Sequence, residues 1–256
     1  MTVPGTAVIL AGGKGTRLAG IVDDRPKPLA EVAGRPFLEW LLLALRARGI
    51  RRAHLLGGHL GDRLAAWASG AGERLGVALA VTVEPEPLGT GGALRLALEE
   101  VAGDPLLVLN GDSLCPLPLA ALAERHRASG AAATLLAVRV PDASRFGTLV
   151  LDERDRVREF REKDPMGGPG LVNGGVYLLA RRVVEEIPPA RAVSLEREIL
   201  PALAARGALA ALPVAGRLLD IGTPASFREA ERLAPELAAE AAGVQVPPVR
   251  ADQTGG

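Results

Sequence analysis

The residues best suited to chemistry lie in a few short segments. A brief apolar run, Thr6–Ala11, leads into Leu10-Ala11-Gly12-Gly13-Lys14-Gly15-Thr16-Arg17-Leu18. Glycines at the end of a strand let backbone N–H groups approach a phosphate closely. Lys14 and Arg17 add cations to this loop. Lys27 adds another from Asp23-Asp24-Arg25-Pro26-Lys27-Pro28, where the flanking prolines stiffen the backbone and fix where the side chain points. A glycine loop with several cations suits a triphosphate. Two familiar phosphate loops are excluded. A P-loop needs glycine where Val8 stands and Ser or Thr where Gly15 stands. A dinucleotide fingerprint needs glycine where Leu18 stands.

Asp112 closes Asn110-Gly111-Asp112 after the apolar run Pro105–Leu109. A carboxylate at the C-terminal end of a parallel strand lies on the ligand side of the sheet. The alternative is an N-cap on the next helix. Asp220 sits in a second short apolar strand, Leu218–Ile221. Leu88-Gly89-Thr90-Gly91 reads as a tight loop whose backbone can hydrogen-bond a base, with Thr90 also able to cap a helix. Glu84 lies just upstream.

The rest of the composition narrows the classes. Lys+Arg and Asp+Glu number 30 each, so formal net charge is zero and a general nucleic-acid or anionic-membrane binder is disfavoured. Cys115 is the only cysteine, which excludes an intrachain disulfide and a cysteine zinc site. It reads as a small buried apolar residue. His54, His59 and His126 are far apart and form no i, i+4 metal pair. A structural role is expected for His59 and a polar helix face for His126. Trp40 and Trp67 fit amphipathic helices packed on the core. No apolar run reaches the roughly 20 residues of a bilayer span. The N-terminal stretch lacks a secretory signal, so the expected compartment is the cytoplasm.

The elements that must position these residues alternate. Strands are expected at Thr6–Ala11, Ala53–Leu56, Val77–Val83 and Pro105–Leu109. Helices are expected at Pro36–Arg48, around Leu60–Ser69, at Gly92–Val101 and at Leu117–Ser129, the last closed by Gly130. Strand–helix alternation implies an α/β fold: a mostly parallel central sheet with helices on both faces. The rhythm then changes to strands Ala133–Arg139, Thr148–Asp152, Arg156–Arg161 and Leu171–Leu179. Helices Arg181–Glu186 and Leu195–Ala205, strands Ala208–Pro213 and Leu218–Ile221, and a helix Pro224–Leu233 complete it. The expected organisation is one domain over residues 1–240, with halves near 1–130 and 131–240. Residues 241–256 are expected to be a flexible tail.

Taken together, GGKGTRL and PKPL resemble the signature of the sugar-phosphate nucleotidyltransferases. EPEPLGTGGA, NGD, RFGT, FREK, VNGGVY and LDIGTP extend the likeness in order from about Ala7 to Leu233. LGTGGA, NGGVYLL and SLEREIL are most similar to the members acting on D-glycero-α-D-manno-heptose 1-phosphate and mannose 1-phosphate with GTP. The resemblance implies a Rossmann-like (GT-A-like) nucleotidyltransferase fold. The implied reaction is NTP plus sugar 1-phosphate giving NDP-sugar and pyrophosphate. No nucleophilic side chain is needed, because the sugar phosphate is already ionised.

Residue by residue, the resemblance places Arg17 and Lys27 on the reacting phosphates. Leu10, Ala11, Gly12, Gly13, Gly15 and Thr16 cradle the nucleotide, and Lys14 is either a phosphate contact or exposed. Glu84, Leu88, Gly89, Thr90 and Gly111 lie on the base and ribose side. Gly147, Glu162, Lys163 and Asn173 face the sugar phosphate, with outward surface charge as the alternative for Glu162 and Lys163; Arg161 reads as such a charge. Asp112 and Asp220 are implied to hold one Mg²⁺. The implied partners are a nucleoside triphosphate and a sugar 1-phosphate, with no nucleic acid or membrane, and an oligomer is compatible. Competing readings are an N-acetylmuramate-1-phosphate uridylyltransferase, a cytidylyltransferase of a non-sugar phosphate, and a catalytically inactive regulatory paralogue. One compositional feature sharpens the site. The only lysines are Lys14, Lys27 and Lys163, the only asparagines Asn110 and Asn173, and the only tyrosine Tyr177, and all fall in these motifs.

Overall fold

The structure is a computed structural model and describes residues 3–13, 24–163 and 165–242. Lys14, Gly15, Thr16 and Arg17 therefore lie outside the described residues, as do residues 243–256. A nine-stranded sheet carries the molecule. Its parallel part is β1 (Thr6–Leu10), β4 (Arg52–Gly57), β5 (Ala78–Val83) and β6 (Leu106–Asn110). They lie in the order β5-β4-β1-β6. The connections are helices: α1 (Phe37–Ala47), α2 (Gly61–Leu75) and α3 (Gly89–Leu96). Such crossovers are what parallel strands require.

Period-two alternation puts helices on both faces. Ala7 and Ile9 of β1 pack with Leu38, Leu41 and Leu45 of α1, Leu64 of α2 and Leu237 of α7 (Pro224–Ala242). Val8, between them, packs on the other side with Leu94 of α3, Val184 of α5 (Arg181–Glu185) and Leu203 of α6 (Leu200–Ala205). The expected sheet with helices on both faces is thus present.

The remaining strands of the large sheet gather on β11 (Gly170–Leu179). It runs antiparallel to β6 through Val176–Leu179, to β8 (Ala133–Val140), and to β9 (Thr148–Leu151) at Val172. β10 (Val157–Arg161) pairs antiparallel with β9, and β12 (Leu209–Ala215) pairs parallel with β8. Between Asn173 and Tyr177 the register of β11 slips, and Gly175 takes φ +70°. Glycine adopts that backbone at no steric cost, so the Asn-Gly-Gly sequence marks a bulge.

Three expectations shift. α2 runs to Leu75 rather than about Ser69. Its internal Gly72 is not a stop: a Cβ there would meet the Val77 carbonyl at 2.9 Å, so glycine permits close packing. α7 continues past Pro235 to Ala242, taking in Ala241 and Ala242 from the segment read as tail. The burial of Leu233, Ala234, Leu237, Ala238 and Ala241 offsets the lost helical hydrogen bond. His126 is buried rather than on a polar face, bonded through Nδ1 to Thr134 Oγ1 at 2.9 Å.

Candidate active site

β1, β4, β5 and β6 all end at one cleft of about 590 Å³. β1 delivers Leu10, Gly12 and Gly13, β4 delivers Leu56, Gly58 and His59, β5 delivers Glu84, and β6 delivers Asn110 and Asp112. Ligand binding at strand C-termini is the rule for open α/β sheets. Gly111 is held by its N–H donating to the Leu10 carbonyl at 2.9 Å. A Cβ at Gly111 would stand 2.8 Å from that same oxygen, so the two strand ends approach as only glycine allows. At the opening of the glycine loop, Gly12 and Gly58 touch back to back, and Glu84 Oε1 fills the space beside both.

Glu84 Oε2 accepts from the Leu88 N–H at 2.6 Å. Burial pushes the Glu84 carboxyl above the usual carboxylate range, and the Leu88 bond opposes it. The Leu88–Gly92 turn is clamped from far along the chain. Val193 N–H donates to Leu88 O, and Val193 O accepts from Gly91 and Gly92, at 2.8 to 3.3 Å. A Cβ at Gly89, where φ is +68°, would meet Val193 O at 2.6 Å. Thr90 Oγ1 donates to Glu196 Oε2 at 2.7 Å and accepts from Leu195 N–H at 2.8 Å. The side chain of Thr90 thus anchors the π-helical turn Leu195–Ile199 instead of capping α3. The Leu88 N–H and C=O and the Gly91 and Gly92 N–H groups are thus committed within the protein.

At Asp112 the cleft borders an ionic cluster. Lys27 Nζ donates to Asp112 Oδ2 at 2.5 Å, and the lysine side chain is only 10% exposed. Asp112 is no helix cap: α4 (Leu119–Ser129) begins after Pro118 without a side-chain cap. β7 (Ser113–Leu114) pairs antiparallel with β13 (Leu219–Asp220), and Ile221 N–H donates to the Asp112 carbonyl at 3.0 Å. That short ladder brings together two aspartates far apart in sequence. Asp220 Oδ1 accepts from Gly222 N–H at 2.8 Å and Oδ2 from Arg145 at 2.7 Å. Among the described residues, no group of three or more His, Cys, Asp or Glu could hold a metal ion. Two carboxylates suit a hard divalent cation that keeps several waters and takes phosphate oxygens.

The antiparallel strands supply the neighbouring side. Asn173 Nδ2 donates to Tyr177 Oη at 2.9 Å, and Asn173 Oδ1 accepts from Gly175 N–H at 3.0 Å. Asn173 therefore shapes the bulge under the cleft. Tyr177 is fully buried, and burial pushes its hydroxyl well above the ordinary tyrosine range, with Glu196 acting the same way. Gly147 lies against the Arg161 carbonyl, 2.8 Å from where its Cβ would be. Glu162 and Lys163 are exposed beyond the end of β10. Glu162 lines a second hollow of about 550 Å³ that shares Glu196 with the first. Arg161 is exposed and paired with Glu159, as an outward charge should be. Cys115 is buried, its thiol pushed up to about 12, which makes it inert.

Sequence reasoning passed over Glu196, Arg145 and the cleft position of His59. Glu196 and Arg145 stand in quoted segments, SLEREIL and RFGT, but their partners lie 106 and 75 residues away.

A family profile described as nucleotidyl transferase matches residues 6–236. This chain belongs to the nucleotidyl transferase family. It is 40% identical over 223 residues to mannose-1-phosphate guanylyltransferase of Mycobacterium tuberculosis. It is 34% identical over 224 residues to mannose-1-phosphate guanylyltransferase catalytic subunit beta of Xenopus tropicalis. Each alignment covers 86% of this chain and 62% of the relative, so the chain spans less than two thirds of their length. A crystal structure of HddC from Yersinia pseudotuberculosis, complexed with GMP-PN, superposes with a TM-score of 0.79 at 31% identity. That match covers 89% of this chain and 98% of HddC. The resemblance to sugar-phosphate nucleotidyltransferases and the expected fold are both borne out. No described helix is long and apolar enough to cross a membrane.

Proposed function

We propose that the chain transfers a guanylyl group from GTP to a sugar 1-phosphate, of the mannose or D-glycero-α-D-manno-heptose type. An oxygen of the sugar phosphate forms a bond to the α-phosphorus, and the bond to the departing pyrophosphate breaks. The observation that carries this reading is the cleft itself: it is lined by apolar residues around Glu84 and by Asp112, with Lys27 bonded to Asp112 and Asp220 on the ladder next to it. The relatives' names support the same reading.

Two anions must meet, so the protein's task is to align them and neutralise charge. Lys27 is preorganised by its prolines and by Asp112. Arg17, with the Gly15-Thr16 backbone, is assigned to the triphosphate by family resemblance. Asp112 and Asp220 would hold a Mg²⁺, which when bound would neutralise charge between the two substrates. Glu84 would read the base. Guanine presents two adjacent donors, N1–H and the 2-amino group, whereas uracil presents one. A carboxylate, being acceptor-only, favours the former. Gly147, Glu162, Lys163 and Asn173 would form the sugar-phosphate side.

The test is pyrophosphate release with Mg²⁺, using each of four NTPs against a panel of sugar 1-phosphates. GTP with a manno-configured sugar 1-phosphate is expected to be fastest. Preference for UTP with N-acetylmuramate 1-phosphate would move the chain to the uridylyltransferases. Binding without turnover on any pair would mark an inactive regulatory protein.

A further inference from the structure

The cations that face the two aspartates differ in exposure. Lys27 is 10% exposed and sits 2.5 Å from Asp112, whereas the Arg145 side chain is 42% exposed and sits 2.7 Å from Asp220. The carboxylates rank the other way, Asp112 at 35% and Asp220 at 19%, so the difference lies in the cations; an ion pair through an exposed side chain is worth about 0–1 kcal/mol. Arg145 is therefore the cation that can leave. The surrounding structure would keep its shape when it does. Asp220 Oδ1 stays held by Gly222 N–H at 2.8 Å. The backbone of the arginine loop is tied by Phe146 N–H to Ala143 O and by Ala143 N–H to Gly168 O, at 2.8 and 2.9 Å. The guanidinium also lies over the Phe146 ring at 5.4 Å, a contact that does not depend on Asp220. Two residues on stands Gly147, beside the sugar-phosphate side of the cleft.

We propose that Arg145 is an exchangeable counter-ion. It neutralises Asp220 until a divalent cation takes that carboxylate, and the freed guanidinium then binds the phosphate of the sugar 1-phosphate. The inference rests on the guanylyl-transfer reading for its second half only. A planar fork of donors suits a phosphate arriving where a carboxylate was held before. The exchange keeps the site near neutral in both states. One basic side chain thereby serves first the metal carboxylate and then the acceptor.

The test compares Mn²⁺ binding, followed by electron paramagnetic resonance, in the nucleotide-free full chain and its Arg145→Met and Arg145→Lys variants. Arg145→Met is expected to tighten Mn²⁺ binding by roughly two- to fivefold, the worth of an exposed pair. Arg145→Lys keeps the charge and is expected to stay within about twofold of the parent. Unchanged or weaker binding in Arg145→Met, or equal tightening in both variants, would overturn the exchange. In steady-state assays, Arg145→Met is expected to raise KM for the sugar 1-phosphate by about tenfold or more, with KM for GTP within about twofold. A rise confined to GTP would overturn the second role. If the parent protein turns over no sugar 1-phosphate, the guanylyl-transfer reading fails. The Mn²⁺ comparison still decides the exchange.

Discussion

The parallel and antiparallel parts of the sheet reach the cleft by different means. β1, β4, β5 and β6 all arrive by their C-terminal ends, so the loops that follow them line it. β11 runs the opposite way beside β6, and its middle packs against Asn110 at the cleft's edge. It needs a bulge to do so: Gly175 at φ +70° packs where its Cβ would lie 2.9 Å from Asn110 Nδ2. Parallel strands collect a site by topology alone, whereas an antiparallel neighbour must be bent into it. The parallel part accordingly offers glycines and strand-end carboxylates, and the antiparallel part offers Asn173, fixed by bonds within its own bulge.

The largest expected effect sits where the two parts meet. Asp112→Asn should lower kcat by about a hundredfold or more while thermal unfolding stays cooperative, because the shape is kept and the charge is lost. Unchanged activity would remove the carboxylate from the reaction. Next come two glycines with left-handed backbone. Gly89→Ala and Gly175→Ala should each destabilise the fold by about 1–3 kcal/mol in urea titrations. The first should mainly raise KM for GTP, and the second KM for the sugar 1-phosphate. Equal effects on both substrates from both variants would dissolve the division.

Lys27→Arg should lower kcat by about tenfold although charge is kept, because a wide fork does not fit a 10%-exposed slot 2.5 Å from Asp112. Lys163→Arg, at an exposed position, should do less. Glu84→Gln should cut the preference for GTP over UTP by about tenfold. In the parent, that preference should fade on acidification at a higher pH than an ordinary glutamate would give. Burial raises the Glu84 carboxyl, and the protonated form no longer accepts from guanine. The smallest effect is on stability. Burial lowers His54 and His126 below the ordinary value of 6.5, so the unfolded chain takes up protons first as pH falls. Thermal midpoints should be highest above that value and decline below it, and His54→Gln should flatten the decline.

The difference between the two parts also explains what the sequence revealed. Each parallel strand is a short apolar run ending in glycine or a carboxylate, so strand, loop and ligand side were all legible. Asp112 is legible this way, Lys27 from its flanking prolines and Asp220 from its short apolar strand; the fold bonds Lys27 to Asp112 and sets Asp220 on the ladder beside it. The hairpin of β2 (Glu31–Val32) and β3 (Arg35–Pro36), and β7, were missed because two-residue strands carry no periodicity. The length of α2 was misjudged because Gly70 and Gly72 resemble stops, although Gly76 at φ +63° is the true one. Pro235 misled in the same way. Arg145 and Glu196 were invisible for another reason: their roles depend on contacts made across the fold, which no local spacing encodes.

The central claim is that this cleft joins a nucleoside monophosphate to a sugar phosphate. The most direct measurement is ³¹P NMR of the full chain with Mg²⁺, GTP and mannose 1-phosphate, with a manno-heptose 1-phosphate in parallel. The account predicts that, with at least one acceptor, two mutually coupled diphosphate signals and pyrophosphate appear in equal amounts as both substrates decline. Orthophosphate release with the sugar 1-phosphate untouched, or spectra that do not change with either acceptor, would contradict it.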